Sequence, residues 1–352
     1  MKILKRSKQV VNFLKENLKN KKALVVMHDN PDPDCIACGI CLQKIFEGIY
    51  ATPTTLTYGG VIGRSENKKM VTECDVILKR IDTLKLDDYT FIVSVDSQPG
   101  SGNTSLKLGH KIDMVLDHHP RKTTTRNIPW VDIRTNYGAT ATIAYEYCMA
   151  HNLEFNKLEA TAILYALKTE TKDLGVEAGP ADKRAYLSLL PKSDFEILFN
   201  IVHAEVSKDY FLVLAKAMEN ARIYNDVMVT STGEIKTPEY VAEVADMLLR
   251  LKGVDWTFVS GQCKSSLYMS IRTSNREANS GEIMQQVVNG FGTGGGHDSM
   301  AGGKIEKIPE NTTFEEIEEE LAQRTLRALK KRSHGEELLE EKKEPPEKNK
   351  IK

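Results

Sequence analysis

Residues 114–120 read Met114-Val115-Leu116-Asp117-His118-His119-Pro120, an apolar run that ends abruptly in one carboxylate and two imidazoles. An earlier apolar run, residues 23–27, ends at His28, and a third, residues 91–95, ends at Asp96. Runs that are apolar throughout, instead of alternating, are typical of parallel strands covered on both faces. Because ligands bind outside the carboxyl ends of such strands, we expect these three strand ends to meet in one polar site.

The residues at these strand ends indicate a site for two metal ions. The loop after the first run adds Asp32 and Asp34, so the strand ends offer at least four carboxylates and two or three histidines. Mixed nitrogen and oxygen ligands suit manganese, or iron, cobalt or zinc, better than calcium. Their number exceeds what one tetrahedral ion needs, whereas two ions about 3.5–4 Å apart with a bridging carboxylate account for it. Such pairs recur in enzymes that cleave phosphate esters.

The same residues resemble the motifs of the DHH phosphoesterase family, in the branch with a DHH-associated C-terminal domain. The first family motif is similar to His28-x-x-x-Asp32-x-Asp34, the second to Asp96 and the third to residues 117–119. The signature of the C-terminal domain resembles Gly294-Gly295-Gly296-His297 followed by Ala301-Gly302-Gly303. The resemblance covers most of the chain. It is greatest to nanoRNase and pAp-phosphatase type enzymes, which shorten very small RNAs and remove phosphate from 3′,5′-bisphosphonucleotides.

This resemblance implies a role for each matching residue. The implied metal ligands are His28 and Asp32 at one ion, Asp34, His118 and Glu170 at the other, and Asp96 between both. The ions, preferably Mn²⁺, would activate a water molecule. Catalytic support would come from Asp117, which would orient an imidazole, and from His119, which would donate to the phosphate.

Glu170 departs from the family pattern, which usually has an aspartate within Thr-Asp-Thr. This chain has Thr169-Glu170-Thr171, so a carboxylate is kept but reaches one methylene farther. Either Glu170 binds metal after a small backbone adjustment, or it moves the second ion and lowers activity. Asp173 is a weaker substitute, because it lies three residues beyond the matching position.

Several further residues are candidates for substrate binding. Residues 294–296 are three glycines that can leave backbone N–H groups free around a phosphate, with His297 as a side-chain donor. Arg272 matches a strand arginine of the family, and its planar fork suits phosphate oxygens. Thr140 opens a helix whose N–H groups could face an anion, although a plain helix cap is the alternative. Asn103 lies in a glycine-rich loop after Asp96 that is either part of the site or an ordinary loop.

The order of elements predicts an α/β fold, with a helix over residues 36–46 and a short strand near residues 54–58 among its first elements. We expect an N-terminal DHH domain over residues 1–191, with a parallel sheet and helices on both faces. A helical linker over residues 192–225 would lead to a smaller mixed α/β DHH-associated domain over residues 226–332. Residues 333–352 lack the apolar residues needed for a packed core and are expected to be disordered.

Composition agrees with an enzyme of this class. A chain of 352 residues favours two domains, since single cores stop growing at about 250–300 residues. The 48 basic and 49 acidic residues argue against tracking along duplex nucleic acid. A small anionic partner, either a nucleotide or a short single strand of RNA or DNA, fits better.

The sequence also predicts a cytoplasmic protein with no membrane partner. No apolar stretch approaches the length of about 20 residues that spans a bilayer, and no apolar signal core follows residues 1–6. Cys35, Cys38 and Cys41 resemble part of an iron–sulfur run but lack its fourth ligand and proline. We therefore interpret them as core residues of a helix behind the metal loop.

Two alternatives to the first functional hypothesis stay open. An enzyme of the same family could hydrolyse a cyclic dinucleotide or act as a single-strand exonuclease with the same metals. A nucleotide-binding module, in which Glu170 has impaired the second metal site, would bind without turnover. Relatives often pair through the first domain, so a homodimer is one option for the assembly.

Overall fold

The computed structural model describes residues 5–275, 277–297, 299–309, 312–331 and 335–339, apart from the side chain of His297. The chain divides after Glu205 into two compact units. This division falls inside residues 192–225, the segment that the sequence predicts as a helical linker.

A six-stranded parallel sheet forms the centre of the first unit. Its strands are β1 (Ala23–Val26), β2 (Thr54–Tyr58), β3 (Leu78–Arg80), β4 (Phe91–Val95), β5 (Met114–Asp117) and β6 (Trp130–Ile133). Their spatial order is β3-β2-β1-β4-β5-β6. The order reverses between β1 and β4. The carboxyl ends of β1, β4 and β5 therefore lie side by side at a topological switch point, where such sheets bind ligands.

Seven helices belong to this unit: α1 (Lys5–Asn17), α2 (Pro33–Tyr50), α3 (Ser65–Glu73), α4 (Thr140–Ala150), α5 (Lys157–Glu170), α6 (Pro180–Leu189) and α7 (Phe195–Val202). Alternate strand residues face opposite sides of a sheet, so Val25 joins the core built with the helices and Leu24 joins a smaller cluster. Among the described residues, that smaller cluster is completed by residues 81–89 and 106–112, which form short 3₁₀ turns and loops. Short 3₁₀ helices and loops therefore bury the strand residues in this smaller cluster.

The second unit has a mixed seven-stranded sheet. Its elements are α8 (Lys208–Asn220), β7 (Arg222–Tyr224), β8 (Val227–Glu234), α9 (Glu239–Leu248), β9 (Trp256–Cys263), β10 (Ser266–Thr273), α10 (Ser280–Val288), β11 (Thr293–His297), β12 (Met300–Ile305), α11 (Phe314–Ala328) and β13 (Glu336–Glu337). The strand order is β11-β12-β10-β9-β8-β7-β13, and β8 pairs with β9 in parallel while the other pairings are antiparallel. The predicted α/β class, with a parallel-sheet domain and a separate mixed domain, is confirmed.

The C-terminal tail differs in part from the prediction of disorder. Glu336–Glu337 pair with β7, and Leu338 N donates a hydrogen bond of 2.9 Å to Ala221 O. Backbone pairing, which needs no apolar side chains, thus holds this short stretch. Residues 332–334 and 340–352 lie outside the described residues.

Candidate metal centre

Three strand ends bring candidate ligands together in the first unit. β1 is followed by Met27 and His28, β4 by Asp96, and β5 ends at Asp117, just before His118. His28 Nε2 lies 3.7 Å from Asp96 Oδ2, and His118 Nε2 lies 3.6 Å from Asp96 Oδ1. Asp96 therefore presents a different oxygen to each imidazole.

The loop after β1 adds two more carboxylates. Asp32 caps α2, because its Oδ1 accepts a hydrogen bond of 3.1 Å from Cys35 N, and its Oδ2 stays 3.4 Å from His28 Nε2. Asp34 is fully buried, with Oδ2 4.0 Å from His118 Nε2. Separations of 3.4–4.0 Å exceed normal hydrogen-bond lengths. They fit pairs of ligands that share an ion about 2.1 Å from each.

Backbone groups orient two of these ligands. His118 Nδ1 lies 3.2 Å from Tyr137 O, and donation there leaves Nε2 as the metal-facing nitrogen. Asp34 accepts hydrogen bonds from Thr140 N at 2.8 Å and from Ala141 N at 2.7 Å. These N–H groups belong to the first turn of α4, where the helix dipole favours negative charge. Both ligands are thus held in place by the main chain.

Thr140 contacts an anion of the protein itself. The sequence leaves open whether its N–H faces an anion at the site or Thr140 is a plain helix cap, and in the structure this N–H donates to Asp34. The Thr140 hydroxyl donates a hydrogen bond of 2.8 Å to Asp96 Oδ1, and the side chain is fully buried. The N-cap of α4 is Ala139. Thr140 therefore positions the candidate metal ligands.

Asp117 and His119 form a hydrogen-bonded pair supported by Gln98, which the sequence analysis missed. Asp117 Oδ1 accepts from His119 N at 3.0 Å and lies 2.8 Å from His119 Nδ1. The buried Gln98 amide donates to Asp117 Oδ2 at 2.7 Å and to Pro120 O at 3.1 Å, and Gln98 Oε1 accepts from Lys122 N at 2.8 Å. These partners lie 19 to 24 residues farther along the chain, so no local pattern signals them.

Asp182 is a second residue that sequence reasoning missed. Its Oδ2 accepts from Gly138 N at 2.9 Å and Gly179 N at 2.8 Å, and its Oδ1 accepts from the Thr142 hydroxyl at 2.5 Å. The side chain is fully buried. Asp182 thereby fixes the turn that leads into α4, whose N–H groups hold Asp34.

The carboxylates of the site repel one another. Burial, followed by the charges of Asp34 and Asp32, raises the pKa of Asp96 well above its usual range. Burial likewise raises the pKa of Asp34, and burial with the charges of Asp32 and Asp34 raises that of Glu170. Burial also acts to raise the pKa of Asp32, but the interaction with the neighbouring His28 imidazole outweighs it and lowers this pKa. Cations bound among these groups would relieve the repulsion.

Comparison with known families agrees with this geometry. Residues 22–167 match the DHH family N-terminal domain, and residues 224–330 match the DHHA1 domain. The chain contains a DHH domain followed by a DHHA1 domain. The first match covers the strand ends with His28, Asp96 and His118, and the second covers most of the mixed sheet.

Two curated relatives span both domains. An uncharacterized protein of Methanocaldococcus jannaschii is 33% identical over 295 residues, which are 83% of this chain and 60% of that protein. The cyclic-di-AMP phosphodiesterase GdpP of Bacillus subtilis is 24% identical over 332 residues, which are 89% of this chain and 49% of that protein. The chain therefore spans about half to three fifths of the length of these relatives.

Solved structures show the same fold at low identity. An exopolyphosphatase-related protein from Bacteroides fragilis superposes with a TM-score of 0.71 at 16% identity, covering 92% of this chain and 97% of that one. RecJ from Thermus thermophilus, in complex with Mn²⁺, superposes with a TM-score of 0.54 at 14% identity, covering 92% of this chain and 55% of that one. The two-domain architecture is therefore shared with these proteins.

Glu170, the departure from the DHH pattern, lies close to the other acids of the site. It is the last residue of α5, and the charges of Asp32 and Asp34 help to raise its pKa. The positive charge of Arg64, at the N-terminus of α3, acts in the opposite direction on the same carboxyl group. The structure thus brings Glu170 into the electrostatic field of the ligand cluster.

The glycine motif of the DHHA1 domain lies in a strand. Residues 294–296 lie in β11, which pairs with β12 at the edge of the sheet. A Cβ added at Gly281 of α10 would lie 2.2 Å from Gly296 O, and one at Gly294 would lie 2.7 Å from Met284 Cγ. The glycines therefore let α10 pack directly on β11. The His297 side chain, a predicted phosphate donor, lies outside the described residues.

Arg272 and Asn103 both have protein partners in the structure. Arg272 Nε donates to Asp246 Oδ1 at 2.8 Å, and its Nη1 donates to Ser270 Oγ at 2.7 Å. The Asn103 side-chain oxygen accepts from Ser97 Oγ at 2.8 Å, and its backbone oxygen accepts from Asp29 N at 2.7 Å. Asn103 thus ties its loop to the metal loop, and the substrate contacts expected of both residues stay predictions.

The cysteines behind the metal loop are core residues, as predicted. Cys35, Cys38 and Cys41 are free and fully buried in α2. Of these, Cys35 has its sulfur within 4.8 Å of ligand atoms of His28 and Asp32. In the described part of the chain, none of the helices combines the length and apolar composition needed to cross a membrane.

Proposed function

We propose that this chain is a metal-dependent phosphoesterase that hydrolyses short oligoribonucleotides, 3′,5′-bisphosphonucleotides or both. Its cofactors would be two divalent ions, preferably Mn²⁺, and its location the cytoplasm. The proposal for activity and substrate rests on the resemblance to nanoRNase and pAp-phosphatase type enzymes together with the geometry of the DHH site.

The position of Asp96 is the observation that carries this proposal. One oxygen of Asp96 lies 3.7 Å from His28 and the other lies 3.6 Å from His118. A carboxylate placed between two separate imidazoles is suited to bridge two ions. Because Asp96 is only 5% exposed and lies among other acids, its charged form requires nearby cations.

We assign the two ions by the partition that the family resemblance implies. His28 and Asp32 would hold one ion, and Asp34, His118 and Glu170 the other. When bound, the two ions would lower the pKa of water and neutralise charge on the phosphate oxygens.

His119 is placed to donate a proton beside this cluster. Burial acts to lower its pKa, but its hydrogen bond to Asp117 and the nearby carboxylates raise it overall. Asp117 fixes the ring through Nδ1, so Nε2 can serve as a donor toward a phosphate oxygen or leaving group. Arg272 and residues 294–297 of the DHHA1 domain are proposed to bind the phosphate end of the substrate.

A second candidate function is hydrolysis of a cyclic dinucleotide. The observation that favours it is the alignment with the cyclic-di-AMP phosphodiesterase GdpP, which covers 89% of this chain at 24% identity. Single-strand exonuclease activity is a further variant, because RecJ shares the fold. All three activities use the same metal ligands and differ in the rest of the substrate site.

Hydrolysis rates on a panel of substrates would test these functions. The panel contains a dinucleotide, a pentanucleotide, a 3′,5′-bisphosphonucleotide, a cyclic dinucleotide and a long single strand, each with Mn²⁺ or EDTA. We expect Mn²⁺-stimulated release from the short linear substrates, lost in His118→Ala and kept in His110→Ala, whose imidazole is exposed and contacts Lys107 O. Faster turnover of the cyclic substrate would favour the GdpP-like alternative.

The non-enzyme alternative predicts a different result. A nucleotide-binding module would give saturable binding of the same ligands without product under any metal. Binding without turnover, with Mn²⁺ bound at only one site by calorimetry, would replace the phosphoesterase proposal with that interpretation of Glu170.

A further inference from the structure

A shallow cavity of about 560 Å³ lies between α3 and the end of α7 in the first unit. Its lining includes Lys68 and Thr72 of α3, together with Phe199 of α7 and His203, which follows α7 directly. Aromatic rings, hydroxyl groups and lysines are the groups with which proteins hold single-stranded nucleic acid. None of these residues belongs to the candidate metal centre.

The aromatic part of this cavity is a two-ring stack. The rings of Phe199 and His203 lie 4.1 Å apart between centroids with an angle of 27° between their planes. A contact of 3.0 Å between His203 Nδ1 and Phe199 O fixes the imidazole. Phe199 is nevertheless 60% exposed, which is a large fraction for a phenylalanine in a folded chain.

The charged part of the cavity favours a phosphate. Lys68 is exposed, and within the described ranges its ammonium group makes no ion pair. Lys69 also lines the cavity, and its ammonium group lies 2.8 Å from Glu73. Glu205 is an acidic residue at the same cavity. The lysines can accommodate one backbone phosphate beside the rings.

Helix α3 connects this cavity to the metal centre. It begins at Ser65, directly after Arg64, and Asn67 Nδ2 in the helix donates a hydrogen bond of 3.5 Å to Pro31 O of the metal loop. From Arg64 to Thr72 the helix advances about 12 Å at 1.5 Å per residue. This length accommodates one or two nucleotides of an extended strand whose scissile phosphate lies at the metals.

We propose that the Phe199–His203 stack with Lys68 is a binding subsite for a base and phosphate of a single-stranded oligonucleotide, one or two nucleotides from the scissile bond. The subsite rests on the proposed phosphoesterase function for its substrate class. It explains how the chain would select short oligonucleotides over mononucleotides, because only the former reach both the metals and the rings.

Equilibrium binding in EDTA tests the subsite independently of catalysis. The full chain is titrated against a fluorescein-labelled single-stranded tetranucleotide and a labelled mononucleotide, with anisotropy as the readout. Wild type should bind the tetranucleotide at least about tenfold more tightly, and Phe199→Ala should remove most of that difference. Lys68→Gln should weaken tetranucleotide binding and reduce the slope of log K against log salt by about 0.7.

Matched variants separate stacking from general effects. Phe195→Ala removes an exposed phenylalanine one turn earlier on α7, outside the cavity lining, and should leave tetranucleotide binding unchanged. Lys85→Gln removes an exposed lysine elsewhere on the unit and should leave the salt slope unchanged. Glu205→Gln should tighten binding, because it removes a negative charge beside the phosphate.

Three outcomes would overturn the subsite. One is equal affinity of wild type for the tetranucleotide and the mononucleotide. Another is an equal loss of binding in Phe195→Ala and Phe199→Ala. The third is conversion of a dimer to a monomer by Phe199→Ala in sedimentation with tetranucleotide affinity retained, which would assign the exposed rings to contact with a second copy. Absence of hydrolysis together with intact tetranucleotide binding would contradict the phosphoesterase proposal but leave the subsite standing.

Discussion

Asp96 combines two unusual properties at one position. Its φ of +51° lies in the left-handed region, which aspartate tolerates better than most other residues. Its carboxylate is almost fully buried and accepts the Thr140 hydroxyl, while its backbone N–H donates to Leu116 O at 2.9 Å. Backbone conformations of this kind cost of order 1–3 kcal/mol and concentrate at functional sites. The backbone conformation of Asp96 therefore lowers the free energy of unfolding of the protein.

Asp96→Asn should separate function from stability. Asparagine keeps the shape and tolerates the same φ, but it removes the ionisable carboxyl group, whose charged form is disfavoured by burial and by Asp34 and Asp32. We expect Mn²⁺-dependent hydrolysis to fall by more than the roughly 10–100-fold typical of residues behind the ligands. We also expect the metal-free variant to unfold at higher urea concentration than wild type. A variant that is less stable in EDTA, or that keeps its activity, would contradict this assignment.

Because of the raised pKa values, the difference in stability between metal-free Asp96→Asn and metal-free wild type should depend on pH. In the metal-free fold, Asp96, Asp34 and Glu170 keep protons that the unfolded chain releases at about pH 4. Their contribution to stability is complete below that pH and is lost as pH rises through the raised pKa values. The stability advantage of Asp96→Asn in EDTA should therefore grow from about pH 4.5 to pH 8, as measured by urea midpoints at each pH. An advantage that shrinks with pH would show that Asp96 is ionised in the metal-free fold.

Glu170 can be tested with two variants of different length and charge. Glu170→Gln keeps the length but removes the charge, and Glu170→Asp keeps the charge but withdraws the carboxylate by one methylene. If Glu170 binds the second ion, Glu170→Gln should weaken Mn²⁺ binding at one of two sites by at least about tenfold, with a smaller loss in Glu170→Asp. Isothermal titration with Mn²⁺ gives both affinities. Unchanged affinities in Glu170→Gln would show that Glu170 only shapes the electrostatic field.

Gln98 is predicted to position the Asp117–His119 pair. Gln98→Ala leaves Asp117 Oδ2 and Lys122 N without their partner, so His119 should lose its fixed orientation while the metal ligands stay in place. We expect kcat to fall about 10–100-fold with Mn²⁺ affinity nearly unchanged. Steady-state kinetics and Mn²⁺ titration check the two halves of this prediction. A large loss of Mn²⁺ affinity would indicate that Gln98 supports the whole cluster.

Some residues of the site could be predicted from the sequence immediately around them, and others could not. His28, Asp96 and His118 could be predicted because each follows an apolar strand, and parallel strand ends meet at one edge. Gln98, Asp182 and the Tyr137 carbonyl could not, since their partners are distant in the sequence and no residue type marks a hydrogen bond made across loops. Thr140 could be predicted as a residue of the site, but the sequence could not show that its N–H and hydroxyl donate hydrogen bonds to the carboxylates of Asp34 and Asp96.

For the helices and strands, capping and close packing determine how well the bounds and type of each element can be predicted from the sequence. The predicted helix at residues 36–46 is longer in the structure, from Pro33 to Tyr50, because Asp32 caps it and Pro33 suits its first turn. The strand at residues 54–58 was predicted with its bounds. The glycines at residues 294–296 do not disclose their element, because a glycine run is equally consistent with a loop and with a strand under a close helix.

Gly281→Ala tests the close contact between α10 and β11. The added methyl group would lie 2.2 Å from Gly296 O, so the helix must shift and the second unit should lose about 1–3 kcal/mol of unfolding free energy. Gly295→Ala is the matched control, because its Cβ would find its nearest neighbour, Gln285 Nε2, at 3.9 Å. Urea unfolding followed by the fluorescence of Trp256 compares the two variants. Equal stability in both would mean that α10 moves freely over the strand.

For the whole molecule, each unit has its own hydrophobic core. The first is built around the parallel sheet and its helices, and the second has clusters on both faces of the mixed sheet. The candidate ligands that follow β1, β4 and β5, together with those at the start of α2 and the end of α5, all belong to the first unit. A ligand that binds only the folded form of one unit stabilises that unit by mass action. Metal should therefore act on the two units unequally.

The two tryptophans of the chain allow the effect of metal on the stability of each unit to be measured separately. Trp130 is in β6 of the first unit and Trp256 in β9 of the second, and both are buried. In Trp256→Phe, which keeps only Trp130, Mn²⁺ at 100 times its dissociation constant should raise the unfolding free energy by about 2.7 kcal/mol for each bound ion relative to EDTA. In Trp130→Phe, which keeps only Trp256, the same addition should leave the unfolding curve in place. Because each variant is compared with itself, the loss of the hydrogen bond from Trp130 Nε1 to the Tyr147 hydroxyl cancels. An equal shift of both reporters would show that the units unfold as one, and a shift seen only by Trp256 would place the metal in the second unit.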